Sequence, residues 1–226
     1  GGLAGDALTT GGYNVAVGFE ALSTEDGHGN NVAIGNRALK TLNAGAAGLN
    51  VAVGDDAGTA MTTGIRNTLL GSEAGDALTD ADDNVAVGAL ALSGDTLGSK
   101  STAIGRGALK VQNFTTATDS NNTAVGYSAG EAVSTGIHNT LIGSLAGDAI
   151  TTGSYNFAAG SGALGTNILG NACVAIGHSA LATQNYGTAT NAFNVAVGHE
   201  AGAAVTTGIN NTLIGALAGD ALNTGS

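Results

Sequence analysis

The chain has no proline, no tryptophan, one methionine and one cysteine in 226 residues, and only four tyrosines and four phenylalanines. A lone cysteine, Cys173, excludes an internal disulfide framework and leaves the redox compartment unread. Charged residues make up only 10% of the chain, which sets it apart from a charge-rich disordered tail, so an ordered structure is expected. The six Lys and Arg stand against 17 Asp and Glu, a net charge of −11. That field repels nucleic acid and anionic lipid, so neither is an expected partner. No stretch is long and apolar enough to span a membrane, and no charged-then-apolar signal segment opens the sequence; membrane insertion is not expected.

What is present is glycine, 39 residues of it, much of it in one repeated phrase, Asn-(Val/Thr)-(Ala/Leu)-(Val/Ile)-Gly-x-x-Ala, every 17 to 21 residues. The repeat glycines are Gly18, Gly35, Gly54, Gly71, Gly88, Gly105, Gly126, Gly143, Gly160, Gly177, Gly198 and Gly215, with Gly1 fitting as a thirteenth. A fixed period of this length signals stacked coils without a central core. The expected fold is all-β, a parallel β-solenoid of about thirteen coils occupying residues 1–226 as a single array. Both ends read as mid-repeat, so the array is expected to be a fragment of a longer fibre.

Aligned on its glycines, the sequence becomes columns. One residue before the glycine stands a Val/Ile column (Val17, Ile34, Val53 and onward), and Val or Thr stands two residues earlier. This period-two face is read as pointing into the coil. The column between them, which includes Ala16, Ala33, Leu69, Leu141 and Leu213, is then read as lying outside. Being apolar throughout, it needs cover, which makes it the candidate interface between chains. Four before the glycine stands Asn in ten of twelve coils, with Ser101 and Cys173 the exceptions; stacked amides that hydrogen-bond along the array are expected there. Three after it stands Ala, the mark of a tight corner.

A second period covers four coils, 70 to 72 residues: the residue four after the glycine runs Gly5, Leu22, Leu39, Gly58, then repeats as Gly75, Leu92, Leu109, Gly130 and onward. The third coil of each unit carries an insertion, Asn43 to Asn50, Asn113 to Asn122 and Asn185 to Asn194. Insertions of this kind map to one side of a solenoid and are its most variable surface. Phe114, Tyr186 and Phe193 lie in them and are the candidate recognition residues.

Catalytic chemistry finds no foothold. No nucleophile and base stand at a recognisable spacing, so no enzyme activity and no cofactor are expected. His178 and His199 share a column, but a complete metal site wants further ligands. The acidic group Glu73, Asp76, Asp80, Asp82 and Asp83 lacks the glycine-and-aspartate nonapeptide of calcium-binding β-rolls and reads as a solvated turn. Glu20, Arg37 and Asp56 share a column and predict a charge ladder. Ile34-Gly35-Asn36-Arg37-Ala38-Leu39 fits the hexapeptide of left-handed β-helix acyltransferases, yet each coil has one such hexapeptide instead of three. A flat Thr array, which an ice-binding solenoid would show, is absent because Thr alternates with Val.

The phrases Asn31-Val32-Ala33-Ile34-Gly35, Asn122-Thr123-Ala124-Val125-Gly126 and Asn211-Thr212-Leu213-Ile214-Gly215 resemble the head repeats of trimeric autotransporter adhesins. The longer form, Gly-x-x-Ala-(Leu/Gly) followed by Thr-Gly-x-x-Asn, is similar to repeats in phage tail-fibre proteins. The resemblance implies left-handed coils, a homotrimer around one axis and an extracellular place, on a virion tail fibre or a bacterial surface. It implies a non-enzymatic structural shaft or receptor-binding segment, with a host-surface glycan or protein as partner. The 17-residue base and the long third coils favour the phage reading over the bacterial adhesin, with an ice-binding module third.

Overall fold

The computed structural model describes residues 1–225, and no α-helix occurs among them. The chain divides into two compact units, Gly1–Asp119 and Ser120–Ser226. The first holds β1 (Val15–Val17), β2 (Val32–Ile34), β3 (Val51–Val53), β4 (Thr68–Leu70), β5 (Val85–Val87), β6 (Gly98–Ser99), β7 (Thr102–Ile104) and β8 (Thr118–Asp119). The second holds β9 (Thr123–Val125), β10 (Thr140–Ile142), β11 (Phe157–Ala159), β12 (Gly170–Asn171), β13 (Val174–Ile176), β14 (Thr190–Asn191), β15 (Val195–Val197) and β16 (Thr212–Ile214). The three-residue strands stack in parallel, in chain order and in the register of the repeat: Val15 opposite Val32, Ala16 opposite Ala33, Val17 opposite Ile34, and so on through each unit. This is a parallel β-solenoid of about twelve turns. The count falls one short of the glycine count because Gly1 has no strand before it.

Stacking requires each coil to point its amides along the array, and the backbone does so by visiting the left-handed region two and four residues after the glycine. Glu20, Leu22, Arg37, Leu39, Asp56 and Gly58 all have φ between 49° and 61°. The resulting N–H groups reach alternately backward and forward: Arg37 N–H to Phe19 O at 2.8 Å, Leu39 N–H to Ala57 O at 3.0 Å. Between the two left-handed residues sits the corner alanine, which has no room for more and is fully buried from Ala21 to Ala201.

The two strand faces are the reverse of the sequence expectation. Ala33, Ala52, Leu69, Ala86, Ala103, Ala124, Leu141, Ala158, Ala175 and Ala196 are completely buried inside the coil. Ala16 and Leu213, on the first and last strands, are half-buried on the same inner face. The Val/Ile columns face out: Ile142 is 42% exposed and Ile176 37%. Ala16, Ala33, Leu69, Leu141 and Leu213 are therefore core residues, and the candidate interface column must be moved to the other face. The physical reason is width. The coil interior also holds the Asn side chains and the Leu22-type residues, so the strand can send only Ala inward unless another group makes space. Glycine makes that space. A Cβ added to Gly58 or Gly75 would lie 2.7 or 2.8 Å from a methyl of Leu69, and Gly202 and Gly219 stand in the same relation to Leu213. An inward Leu occurs only where its own coil and the preceding one carry Gly at the fourth position. The four-coil period is thus a volume rule, each Leu filling the gap left by two missing side chains.

The asparagine column behaves as a ladder. Asn139 Nδ2 donates to Gly153 O at 2.9 Å, and its Oδ1 accepts the Asn156 backbone N–H at 3.0 Å and Asn156 Nδ2 at 3.2 Å. Asn50 and Asn67 repeat this in the first unit. Where the column loses Asn, a glutamine eleven residues on reaches inward: Gln112 Nε2 lies 2.8 Å from Ser101 Oγ and Gln184 Nε2 lies 3.1 Å from Cys173 Sγ. Buried polar groups are thereby kept satisfied without the missing amide.

Candidate functional site

The long third-coil loops do not stand free. In the first unit β8 returns to pair with β6, and in the second β14 pairs with β12. Each loop closes around its own aromatic ring: Phe114 and Tyr186 are both only 6% exposed. Tyr186 donates its hydroxyl to Gly208 O at 2.6 Å and accepts from Asn194 Nδ2 at 3.1 Å, and burial pushes its phenol up to about 12. These two rings are anchors inside the loops and are not presented as surface contacts. Phe193 alone is outside, 55% exposed, at a left-handed position of φ 50°. The Phe114 and Tyr186 rings are buried because they gain more from covering the coil beneath than from water.

The continuous feature of the surface is the pair of outward columns in each unit. Val15, Val17, Ile34, Ile104, Ile142, Phe157, Ile176 and Ile214 are its most exposed members, and Thr at 68, 102, 123, 140 and 212 interrupts the Val column. Among the described residues no cavity or cleft is present to hold a small molecule.

The charge ladder is present in part. Arg37 pairs with Asp56 across one coil step, whereas Glu20 is engaged by Lys40 at 2.6 Å. A second ladder, not anticipated, starts five residues before the glycines at Arg66, Asp83 and Lys100. Arg66 holds Asp83 with two bonds, 2.6 and 2.9 Å, and Lys100 reaches Asp119, seven before Gly126, at 2.5 Å. The Arg66 guanidinium keeps Asp83 below the usual carboxylate range. These pairs are exposed, so each adds little to stability.

The acidic group of the fifth coil does not converge on a point. Asp80 accepts from Thr63 Oγ1 at 2.5 Å, Asp82 from the Ile65 N–H at 2.8 Å, and Asp83 is held by Arg66. Asp76 differs. Burial, with the nearby Glu73 and Asp56 charges adding, pushes its carboxyl up to about 6, and its Oδ1 is a buried acceptor with no partner among the described residues. Asp148 is raised for the same reason in the second unit. In the unfolded chain an Asp titrates near about 3.9. As pH rises from about 4 through about 6 the unfolded chain gives up this proton before the folded one does, so stability is lost across that window. Asp76→Asn removes the loss. Urea unfolding should show the variant close to the parent at acid pH and more stable than the parent at pH above about 7.

Cys173 is completely buried. Burial pushes its thiol up, partly offset by hydrogen bonds from Gln184 and the Asn194 backbone, so it serves packing instead of reactivity. The four histidines divide by partner. His28 sits 3.2 Å from the fully buried Glu25, His138 stacks on Tyr155 with centroids 5.0 Å apart, and His178 stacks on His199 at 5.2 Å. Glu200 joins the last pair, its Oε1 3.7 Å from His199 Nε2. The sequence columns located both histidines but not this carboxylate, which follows His199 in the turn after β15 at a left-handed φ of 54°.

Comparison of the chain with protein-family models, with curated proteins and with solved structures found no match.

Proposed function

We propose that this chain is a non-enzymatic segment of a trimeric phage tail fibre, a left-handed solenoid shaft on the virion exterior whose three copies pack through their outward Val/Ile/Thr columns. The observation that carries the reading is the apolar double column itself. In each unit its Val/Ile column recurs at every coil of a six-strand stack with Val or Thr beside it, an extended exposed apolar stripe of the kind that marks an interaction surface. Closed cyclic symmetry covers such a face without open-ended growth. The repeat phrases that resemble tail-fibre sequences supply the biological setting. Burial of Phe114 and Tyr186 favours a spacer over a receptor-binding tip, leaving Phe193 as the candidate contact for a host glycan or protein. A bacterial trimeric adhesin head has the same physics. The flanking gene separates the two: a chaperone domain downstream marks a tail fibre, a membrane-anchor barrel marks an adhesin.

The test is mass in solution. Light scattering should give about three times the 21.5 kDa chain mass. Replacing Ile142, Ile176 and Ile214 together with Asp should yield a folded monomer with unchanged β circular dichroism, whereas Leu69→Asp should unfold its coils instead of dissociating them. A monodisperse monomer for the unmodified chain overturns the proposal. If labelled trimer fails to bind host cells while the parent fibre binds them, the segment is a spacer; if Phe193→Ala abolishes cell binding by the trimer, it is a recognition element.

A further inference from the structure

The geometry points to His178, His199 and Glu200 as a surface site for one divalent transition-metal ion, held between two neighbouring coils of the second unit. The frame is rigid. β13 and β15 pair with Ile176 opposite Val197, and two backbone bonds lock the turn that follows: Gly198 N–H to Ile176 O at 2.7 Å and Glu200 N–H to His178 O at 2.9 Å. His178 and His199, each two residues beyond its strand partner, therefore occupy the same place on successive coils. Their rings lie 5.2 Å apart and within 14° of parallel, so their nitrogens can face one way. One ligand atom from each of the three residues lies within 4.8 Å of the others.

Zinc bonds nitrogen and carboxylate oxygen at about 2.0–2.2 Å, so a shared ion needs donor atoms roughly 4 Å apart or closer. Tetrahedral coordination draws the donors to roughly 3.4 Å, a closure of up to about 1.5 Å. It requires side-chain rotations that turn both rings out of their parallel stack, since the in-plane lone pairs of parallel imidazoles do not converge. His178 and His199 are exposed and Glu200 half-buried, so no packing resists them. Two imidazoles and one carboxylate suit Zn²⁺, Co²⁺, Ni²⁺ or Cu²⁺, and not the all-oxygen preference of Ca²⁺ or Mg²⁺. Three protein ligands leave the remaining coordination positions to water, an open site of the kind that accepts an outside ligand. The net charge of −11 draws cations toward the chain. The other grouping of such residues, Glu25, Asp26 and His28, offers one imidazole, and Glu25 is occupied by the His28 and Ala44 N–H groups. The bland alternative is a solvated imidazole stack with no ion.

Equilibrium dialysis of the tag-free, chelator-stripped chain against Zn²⁺, with Mg²⁺ in excess, tests the site. The expected result is one Zn²⁺ per chain, undisturbed by Mg²⁺. Affinity should fall by about tenfold or more in His178→Ala and in His199→Ala, and by less in Glu200→Gln, because only the last keeps both imidazoles. Saturating Zn²⁺ should raise the unfolding temperature of the parent chain but not of the double histidine variant. Unchanged Zn²⁺ binding in that double variant, a stoichiometry of one ion per two chains, or no Zn²⁺ bound at millimolar concentration would each overturn the assignment.

Discussion

Gly177→Ala is expected to destabilise the second unit by about 3 kcal/mol or more, among the largest effects a single methyl can have. Two costs coincide at this position. Gly177 has φ 130°, a region where L side chains are strained by roughly 1–3 kcal/mol. The added Cβ would also stand 2.3 Å from Gly198 O and 2.6 Å from Gly198 C. These atoms are backbone of the next coil and cannot rotate away, so relief requires separating two coils whose amides are hydrogen-bonded. Gly187→Ala, ten residues along, is the control: its Cβ meets nothing within 4 Å, and the change should be within about 0.5 kcal/mol of neutral. Guanidinium unfolding of both variants checks the contrast. Equal stabilities would show that the coils are not in van der Waals contact at the glycine column.

Asn139→Leu should cost about 3–6 kcal/mol, although it conserves size and adds hydrophobicity to a fully buried site. The variant leaves the Gly153 carbonyl and the Asn156 N–H without their partners, and strands one Asn156 side-chain bond. A buried donor or acceptor left unmade costs about 1–3 kcal/mol each. In a stacked array the damage is local, so hydrogen exchange should accelerate around 139–156 and leave the first unit unchanged. Stability equal to the parent would mean the column is held by backbone bonds alone.

Much of this architecture can be read from the columns. Identical offsets locate the glycine contact, the Asn ladder, the corner alanines and the Arg37–Asp56 pair, because stacking turns sequence period directly into proximity. Which strand face is inside was hidden, since both columns are apolar and binary patterning carries no contrast. The decisive signal was present but subtler: Leu69, Leu141 and Leu213 coincide with paired glycines at the fourth position, and residues that trade volume must touch. The glutamines were legible in the same way, Gln112 and Gln184 each standing eleven residues after a missing Asn. The burial of Phe114 and Tyr186 is not legible in sequence, because a loop's length says nothing of whether it folds back. The Glu20–Lys40 pair is not legible from the columns, because Lys40 stands in a different column from Arg37 and reaches Glu20 from the next coil. Glu200 is harder to read because it stands one column beyond the histidines, and only the turn geometry brings the two columns together.

The volume rule around the paired glycines has a genetic consequence. Duplication or loss of one coil that carries Gly at the fourth position would set an inward Leu beside a coil whose fourth residue is also Leu, crowd two inward Leu against one Gly, or leave glycines with nothing to fill the space beside them. Such a junction is overfilled or hollow, at a cost of several kcal/mol. A coil with Leu at that position meets like neighbours either way. Gain or loss of a whole four-coil block of 70 to 72 residues joins like to like and conserves every contact. Recombination between repeats should therefore conserve the Gly-type coils in pairs, and natural length variants should keep each inward Leu with its two glycines.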